Sequence, residues 1–332
     1  MTVPARAMAG RPDLRDTLRR PGDALPGASI GTVPILWNNV DLVDLRHGTD
    51  ALTILDEIAR TGYEGTQLGI GYPEGEALHE ALTARRLRLA EVYLSIPATV
   101  DGPTPEAMAI GRERVRLLRD GGGEVLVIAL DISPDRDVCA GRAGEPGVPV
   151  MTDAGWAALL ETIHTLAAEV VADGRRAAFH PHAGTFIETP AEVDRLVAGL
   201  DPGVIGICLD VGHYTVGGGD PVAALRDLGD RVTHIHLKDV DPIVLEGMRA
   251  GSIAGQNAAV RARLFTELGA GVVDLDGVLA AAAARDYDGW LMVEQDSTWA
   301  PPSESAAVGR RVLAAALRNL RTGTRATNEE GR

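Results

Sequence analysis

The feature that most restricts how this chain can fold is an alternation that runs through nearly its whole length. A short apolar, β-branched run is followed by a turn rich in Gly, Pro, Asp or Thr, and then by a longer stretch with helical spacing. Such alternation calls for a parallel sheet, because each strand must be returned by a crossover before the next can pair beside it. Strand-like runs lie at residues 30–37, 62–69, 87–96, 124–130, 176–181, 204–210, 232–238 and 289–294. Helical patterns lie between them at 49–61, 104–120, 152–173, 189–199, 220–228, 274–285 and 303–320, several opening on Ser, Thr or Asp as caps do. Eight strands in 332 residues predict a single (β/α)8 TIM barrel. A doubly wound open sheet shares the alternation, but Trp37-Asn38-Asn39 follows the first strand where a dinucleotide-binding turn needs its glycines. The stretch 242–270 is long for a connection, and its spacing predicts an extra helix over one rim after the seventh strand. Residues 1–27 and 321–332 show no sustained periodicity and read as a flexible leader and tail around a barrel of 28–320.

Charge and cysteine usage narrow the partners. A formal net charge of -15 leaves no basic surface for a phosphate backbone, so nucleic acid is not an expected partner. Only Cys139 and Cys208 are present, too few for a disulfide framework, and no charged start precedes an apolar signal segment; a reducing cytoplasm is the expected location. No run approaches the roughly 20 apolar residues of a membrane helix, so a soluble protein without membrane contact is expected. Nothing in the sequence speaks against a homo-oligomer.

In a barrel of this kind the chemistry gathers at the carboxyl ends of the strands. The fifth run ends in His180-Pro181-His182-Ala183-Gly184-Thr185, the sixth in Cys208-Leu209-Asp210-Val211-Gly212-His213, the seventh in His234-Ile235-His236-Leu237-Lys238-Asp239 and the eighth in Glu294-Gln295-Asp296. Side chains alternate across a strand, which turns Ala178, His180 and His182 one way, Gly206, Cys208 and Asp210 one way, and His234, His236 and Lys238 one way. His180, Asp210, His236 and Glu294, one from each of four successive strand ends, can then converge as a metal site. Two imidazoles and two carboxylates suit Mn²⁺, Co²⁺, Fe²⁺ or Zn²⁺ better than Ca²⁺, with Mg²⁺ also admissible and Mn²⁺ the expected ion. His234 lies deeper and reads as a hydrogen-bonded core histidine; His47, His79 and His164 fall on loops or helices away from the mouth. Asp239 and Asp296 read equally well as helix caps, and Gly217-Gly218-Gly219 as a turn before the helix at Asp220 rather than a phosphate cradle.

These segments, with Gly31-Thr32-Val33-Pro34-Ile35-Leu36-Trp37-Asn38-Asn39 and Gly62-Tyr63-Glu64-Gly65-Thr66-Gln67-Leu68-Gly69, resemble the sugar-phosphate isomerase/epimerase-like barrels, and among them the myo-inosose-2 dehydratases. The wider family holds its metal with a glutamate, an aspartate, a histidine and a second glutamate. These correspond here to positions 180, 210, 236 and 294, with histidine at 180 as in dehydratases of this group. Gln67 stands where the dehydratase's second strand usually ends in a glutamate.

The resemblance implies elimination of water from a 2-keto inositol, so the expected partner is a small polyhydroxylated ketone. Metal coordination of a ketone acidifies the neighbouring C–H; a base then removes that proton and an acid protonates the departing hydroxyl. Lys238 is the expected base, its pKa depressed by the nearby cation, and His213 or His182 the acid. Trp37, Asn38 and Gln67 would line the ring pocket, and Gln295 would orient Glu294. The alternatives are an epimerase or isomerase of a keto sugar or keto cyclitol, an enzyme eliminating the aglycone of a 3-keto glycoside, or a sugar-binding barrel whose metal site has decayed. Four intact candidate ligands argue against the last. DNA-repair endonucleases share the fold, but need more ligands and a basic face.

Overall fold

The computed structural model describes residues 25–330, the last ten as backbone alone. Eight parallel strands close into a barrel, each beside its successor in the chain: β1 (Ser29–Thr32), β2 (Gly65–Gln67), β3 (Arg88–Ile96), β4 (Val125–Leu130), β5 (Arg176–Phe179), β6 (Gly206–Asp210), β7 (Val232–Leu237) and β8 (Trp290–Val293), which pairs back onto β1. Register brings Asp210 beside His236 and His236 beside Met292, so the last strands reach the same height together. All six residues of β4 are buried, as a barrel strand covered on both faces must be.

The first strand is much shorter than the run 30–37. Pro34 has no N–H to give a ladder, and the chain turns into a 3-10 helix over Pro34–Leu36 that carries Trp37 away from the barrel wall. Below the mouth the barrel is filled by Ala90, Val125, Val127, Ala178, Cys208, Trp290 and Met292. Gly65 makes room for the largest of these: a Cβ there would lie 2.4 Å from the Trp290 ring.

The expected outer helices are present, and their starts are chemically specified. Asp50 accepts from Thr53 N–H, Thr152 from Gly155 N–H, and Thr189 and Glu192 form a reciprocal capping box. A further helix, Gly75–Thr83, was not anticipated. The expected insertion after β7 contains two short helices, Pro242–Arg249 and Gln256–Arg261, and returns by pairing Phe265–Thr266 with Asp239–Val240. The final helix is Pro302–Glu330. The leader expected for 1–27 lies, up to residue 24, outside the described residues. Among those residues no helix is long and apolar enough to cross a membrane.

Candidate active site

The mouth of the barrel is assembled from strand ends. Asp210 closes β6 and caps the short helix Val211–Val216, its Oδ1 accepting from the N–H groups of Gly212 and His213 at 2.8 Å each. Anchored through one oxygen, the carboxylate presents the other: Oδ2 is buried without a formed hydrogen bond, 3.4 Å from His180 Nε2 and 3.8 Å from His236 Nδ1. His180 follows β5, whose ladder continues one step as its N–H donates to Ile128 O at 2.7 Å. His236 lies in β7, with Nδ1 2.7 Å from Glu294 Oε2. One ligand atom from each of His180, Asp210, His236 and Glu294 lies within 4.8 Å of the other three.

These separations fit one divalent ion. Donors about 2.1 Å from a metal stand roughly 3 to 3.5 Å from their neighbours, and an orphaned buried carboxylate oxygen is the atom such an ion would satisfy. The two-nitrogen, two-oxygen set matches a first-row transition metal better than Ca²⁺.

Lys238, just past β7, is buried among carboxylates. Its Nζ lies 2.7 Å from Asp296 Oδ1, 3.1 Å from Glu294 Oε1 and 3.5 Å from Asp210 Oδ2, with His213 Nε2 at 3.0 Å. Burial alone would lower its pKa, but Asp296, Glu294 and Asp210 outweigh burial and raise it above the ordinary lysine range. The depressed value was expected for a site holding a cation; in the protein alone the charge around Lys238 is negative. Burial also favours a neutral Asp210, yet Lys238 above all, with a hydrogen bond from His180, holds its carboxyl well below the usual range. Burial pushes Asp296 up to about 7, Glu294 adding to the rise against the pull of Lys238.

His182 and His213 stack with ring centroids 3.7 Å apart. Burial, His180 and Lys238 push His182 down to about 3, and burial, His182 and Lys238 drive His213 well below its ordinary value. Both shifts favour the neutral ring over the charged one. Phe265, from the insertion, packs against this cluster, its ring centroid 4.9 Å from that of His213 and 4.5 Å from Lys238 Nζ.

A cavity of about 390 Å³ opens above the four donors, within the usual size range of small-molecule sites. Its walls include Asp41, Arg46, Gln67, Tyr93, His180, His182, Lys238, Glu294 and Asp296. Gln67 is therefore on the wall, whereas three other expected contacts are not. Trp37 is fully buried in the core with Nε1 donating to Glu57 at 2.6 Å. Asn38 spends its amide on the loop backbone, donating to Thr49 O and accepting from Gly48 and Thr49 N–H. Gln295 spends its Nε2 on Ser297 O, at 3.0 Å. Asp296, read as a cap, faces the cavity, while Asp239 accepts from the N–H groups of Gly269, Gly271 and Val273 and so pins the insertion's return.

Asp41 and Arg46 of the cavity wall escaped the sequence reading, and so did one charged residue in the barrel interior. Glu91, inside β3, is fully buried with Oε2 against His234 Nε2 and 3.0 Å from His236 Nε2. The signal was available: a lone carboxylate in a strand otherwise written as apolar needs buried partners.

The family model for xylose isomerase-like TIM barrels matches residues 45–316. An inosose dehydratase of Bacillus licheniformis is 30% identical over 292 residues, spanning 87% of this chain and 96% of that protein. A solved L-ribulose 3-epimerase superposes with a TM-score of 0.67 at 16% identity, covering 90% of this chain and 98% of its own. A crystal structure of an IOLI protein with a bound zinc atom superposes with a TM-score of 0.66 at 12% identity, covering 88% and 99% respectively. At such identities the two structures speak for the fold alone.

Proposed function

The chain belongs to the xylose isomerase-like TIM barrel family, and from that premise we propose that it eliminates water from a keto cyclitol resembling 2-keto-myo-inositol, using one divalent metal ion. The observation that carries this reading is the convergence of His180, Asp210, His236 and Glu294 from four successive strand ends beneath a cavity of small-molecule size. The relative named inosose dehydratase supplies the substrate class, and its match runs through nearly the whole of both chains. Mn²⁺ is the proposed ion, with Co²⁺, Fe²⁺, Zn²⁺ and Mg²⁺ as alternatives.

A divalent ion held by these four residues would withdraw electron density from the substrate ketone and make the adjacent C–H more acidic. Lys238 is assigned as the base for that proton. Two of the three carboxylates that keep it charged, Asp210 and Glu294, are themselves proposed ligands, and once engaged with a cation they support the ammonium less. Asp296, on the cavity wall 2.7 Å from Lys238 Nζ, is assigned to protonate the departing hydroxyl in place of His182 or His213. In the overall change one C–H and one C–O bond break, a C=C bond forms, and the hydroxyl leaves as water; the resulting enol is a tautomer of the dione. Gln67, Asp41 and Arg46 are the proposed readers of the ring's hydroxyl pattern.

The test is metal analysis of purified protein followed by a screen of inososes for loss of water, with and without chelator. Dehydration that depends on a bound divalent ion is expected. Full turnover by a demonstrably metal-free preparation would overturn the reading.

A further inference from the structure

We propose that Glu91 is the positioning residue that fixes how His236 is presented to the metal ion, and that the tightness of metal binding depends on it. This inference rests on the metal-dependent reading above. Glu91 lies in β3, across the barrel from β7, with its side chain fully buried and Leu89, Ala90 and Val92 for strand neighbours. A carboxylate in such surroundings needs donors to offset the loss of water. Glu91 Oε2 faces two, Nε2 of His234 and Nε2 of His236, the latter at 3.0 Å.

The consequence follows from the imidazole's two nitrogens. A proton held on one leaves the lone pair of the neutral ring on the other. Both ring nitrogens of His236 face a carboxylate, Nδ1 at 2.7 Å from Glu294 Oε2 and Nε2 at 3.0 Å from Glu91 Oε2. With Glu294 engaged as a metal ligand, Glu91 is the acceptor left to hold the proton on Nε2. That frees Nδ1, the atom facing the site and 3.8 Å from Asp210 Oδ2. Were the proton on Nδ1, an N–H would point where the ion must bind. A carboxylate behind a ligating imidazole also makes it a stronger donor and fixes the ring's orientation. His234, fully buried, braces the same oxygen from the second side, which gives this deeper histidine its place in the barrel.

The test measures metal binding by the full-length protein, by calorimetric titration with Zn²⁺ and with Mn²⁺, for wild type, Glu91→Gln and Glu91→Ala, alongside thermal melting. Affinity is expected to fall by about 10- to 100-fold in variants that remain folded, less for Gln than for Ala. Affinity unchanged within about twofold in a folded variant would show Glu91 to be a core group only. Should neither variant fold, the wild type decides. In a ¹⁵N-labelled, Zn²⁺-loaded sample, ring nitrogen shifts should show His236 bound through Nδ1 with its proton on Nε2, and the opposite arrangement would overturn the inference. Failure of the wild type to bind either ion would remove the metal-dependent reading and this inference with it; tight wild-type binding left intact by both substitutions would remove this inference alone.

Discussion

The two halves of the barrel are built from different chemistry. β5 through β8 each carry an imidazole or a carboxylate within one residue of their carboxyl ends, and Lys238 and Asp296 add two more ionisable groups on that side. The ends of β2 and β3 give the opposite wall Gln67, Tyr93 and Ser95, none charged at neutral pH; Asp41 and Arg46 from the loop after β1 also line it, and Glu91 reaches from β3 into the charged network. On the proposed reading the β5–β8 side supplies metal donors and proton carriers, and the side from β1 to β4 shapes the space a ring must fit. Substitutions on one side should decide whether a reaction occurs, and on the other which ring is accepted.

The largest effect is expected from the ligands. Asp210→Ala or Glu294→Ala should each lose the ion and with it all measurable turnover, read by metal analysis of the purified variant; a fully loaded, active Asp210→Ala would break the division between the halves. Lys238→Ala should keep the metal yet lose about 10²- to 10⁴-fold in kcat, the range of a lost general base. Near-normal turnover would return Lys238 to a charge-balancing role among its three carboxylates.

A smaller effect is expected across the cavity. Gln67→Ala should raise KM by about tenfold with kcat changed far less, since a lost hydrogen bond to substrate is worth on the order of 1 kcal/mol. A kcat loss with unchanged KM would move Gln67 into the catalytic half. The smallest kinetic effect belongs to Trp37→Phe, which keeps the ring in the core and removes the N–H bonded to Glu57. Stability should fall by about 1 to 2 kcal/mol in denaturant melts, with KM unchanged; a raised KM would restore Trp37 to the substrate pocket.

The pattern of what was legible follows the same division. His180, Asp210, His236 and Glu294 could be brought together on paper because barrel topology puts the ends of consecutive strands side by side, whatever the loops between them do. Trp37 and Asn38 lie beyond a strand that Pro34 ends early, and once a 3-10 turn intervenes, strand alternation no longer tells where a side chain points. The direction of Gln295 was beyond reach for a related reason: β8 ends at Val293, so the loop sets it. Glu91 was missed because its partners stand 143 and 145 residues away and across the barrel, a separation over which local periodicity carries no information. Proton positions were the least legible of all. Whether Lys238 is charged depends on three carboxylates from other parts of the chain, at distances that no spacing rule supplies.

The most direct test of the proposed chemistry is a single incubation of the Mn²⁺-loaded enzyme with 2-keto-myo-inositol in D₂O, followed by ultraviolet absorbance and by NMR. Elimination requires one proton abstraction from carbon, whereas epimerisation requires a proton to return from the opposite face. Of the four proposed metal donors only Glu294 is a glutamate, and a histidine tied to a metal would have no lone pair left to serve as the second base. The expected result is growth of the enolised dione's absorbance, abolished by chelator, with no deuterated epimer accumulating. A deuterated epimer without any gain in absorbance would contradict the dehydratase reading and make the enzyme an epimerase.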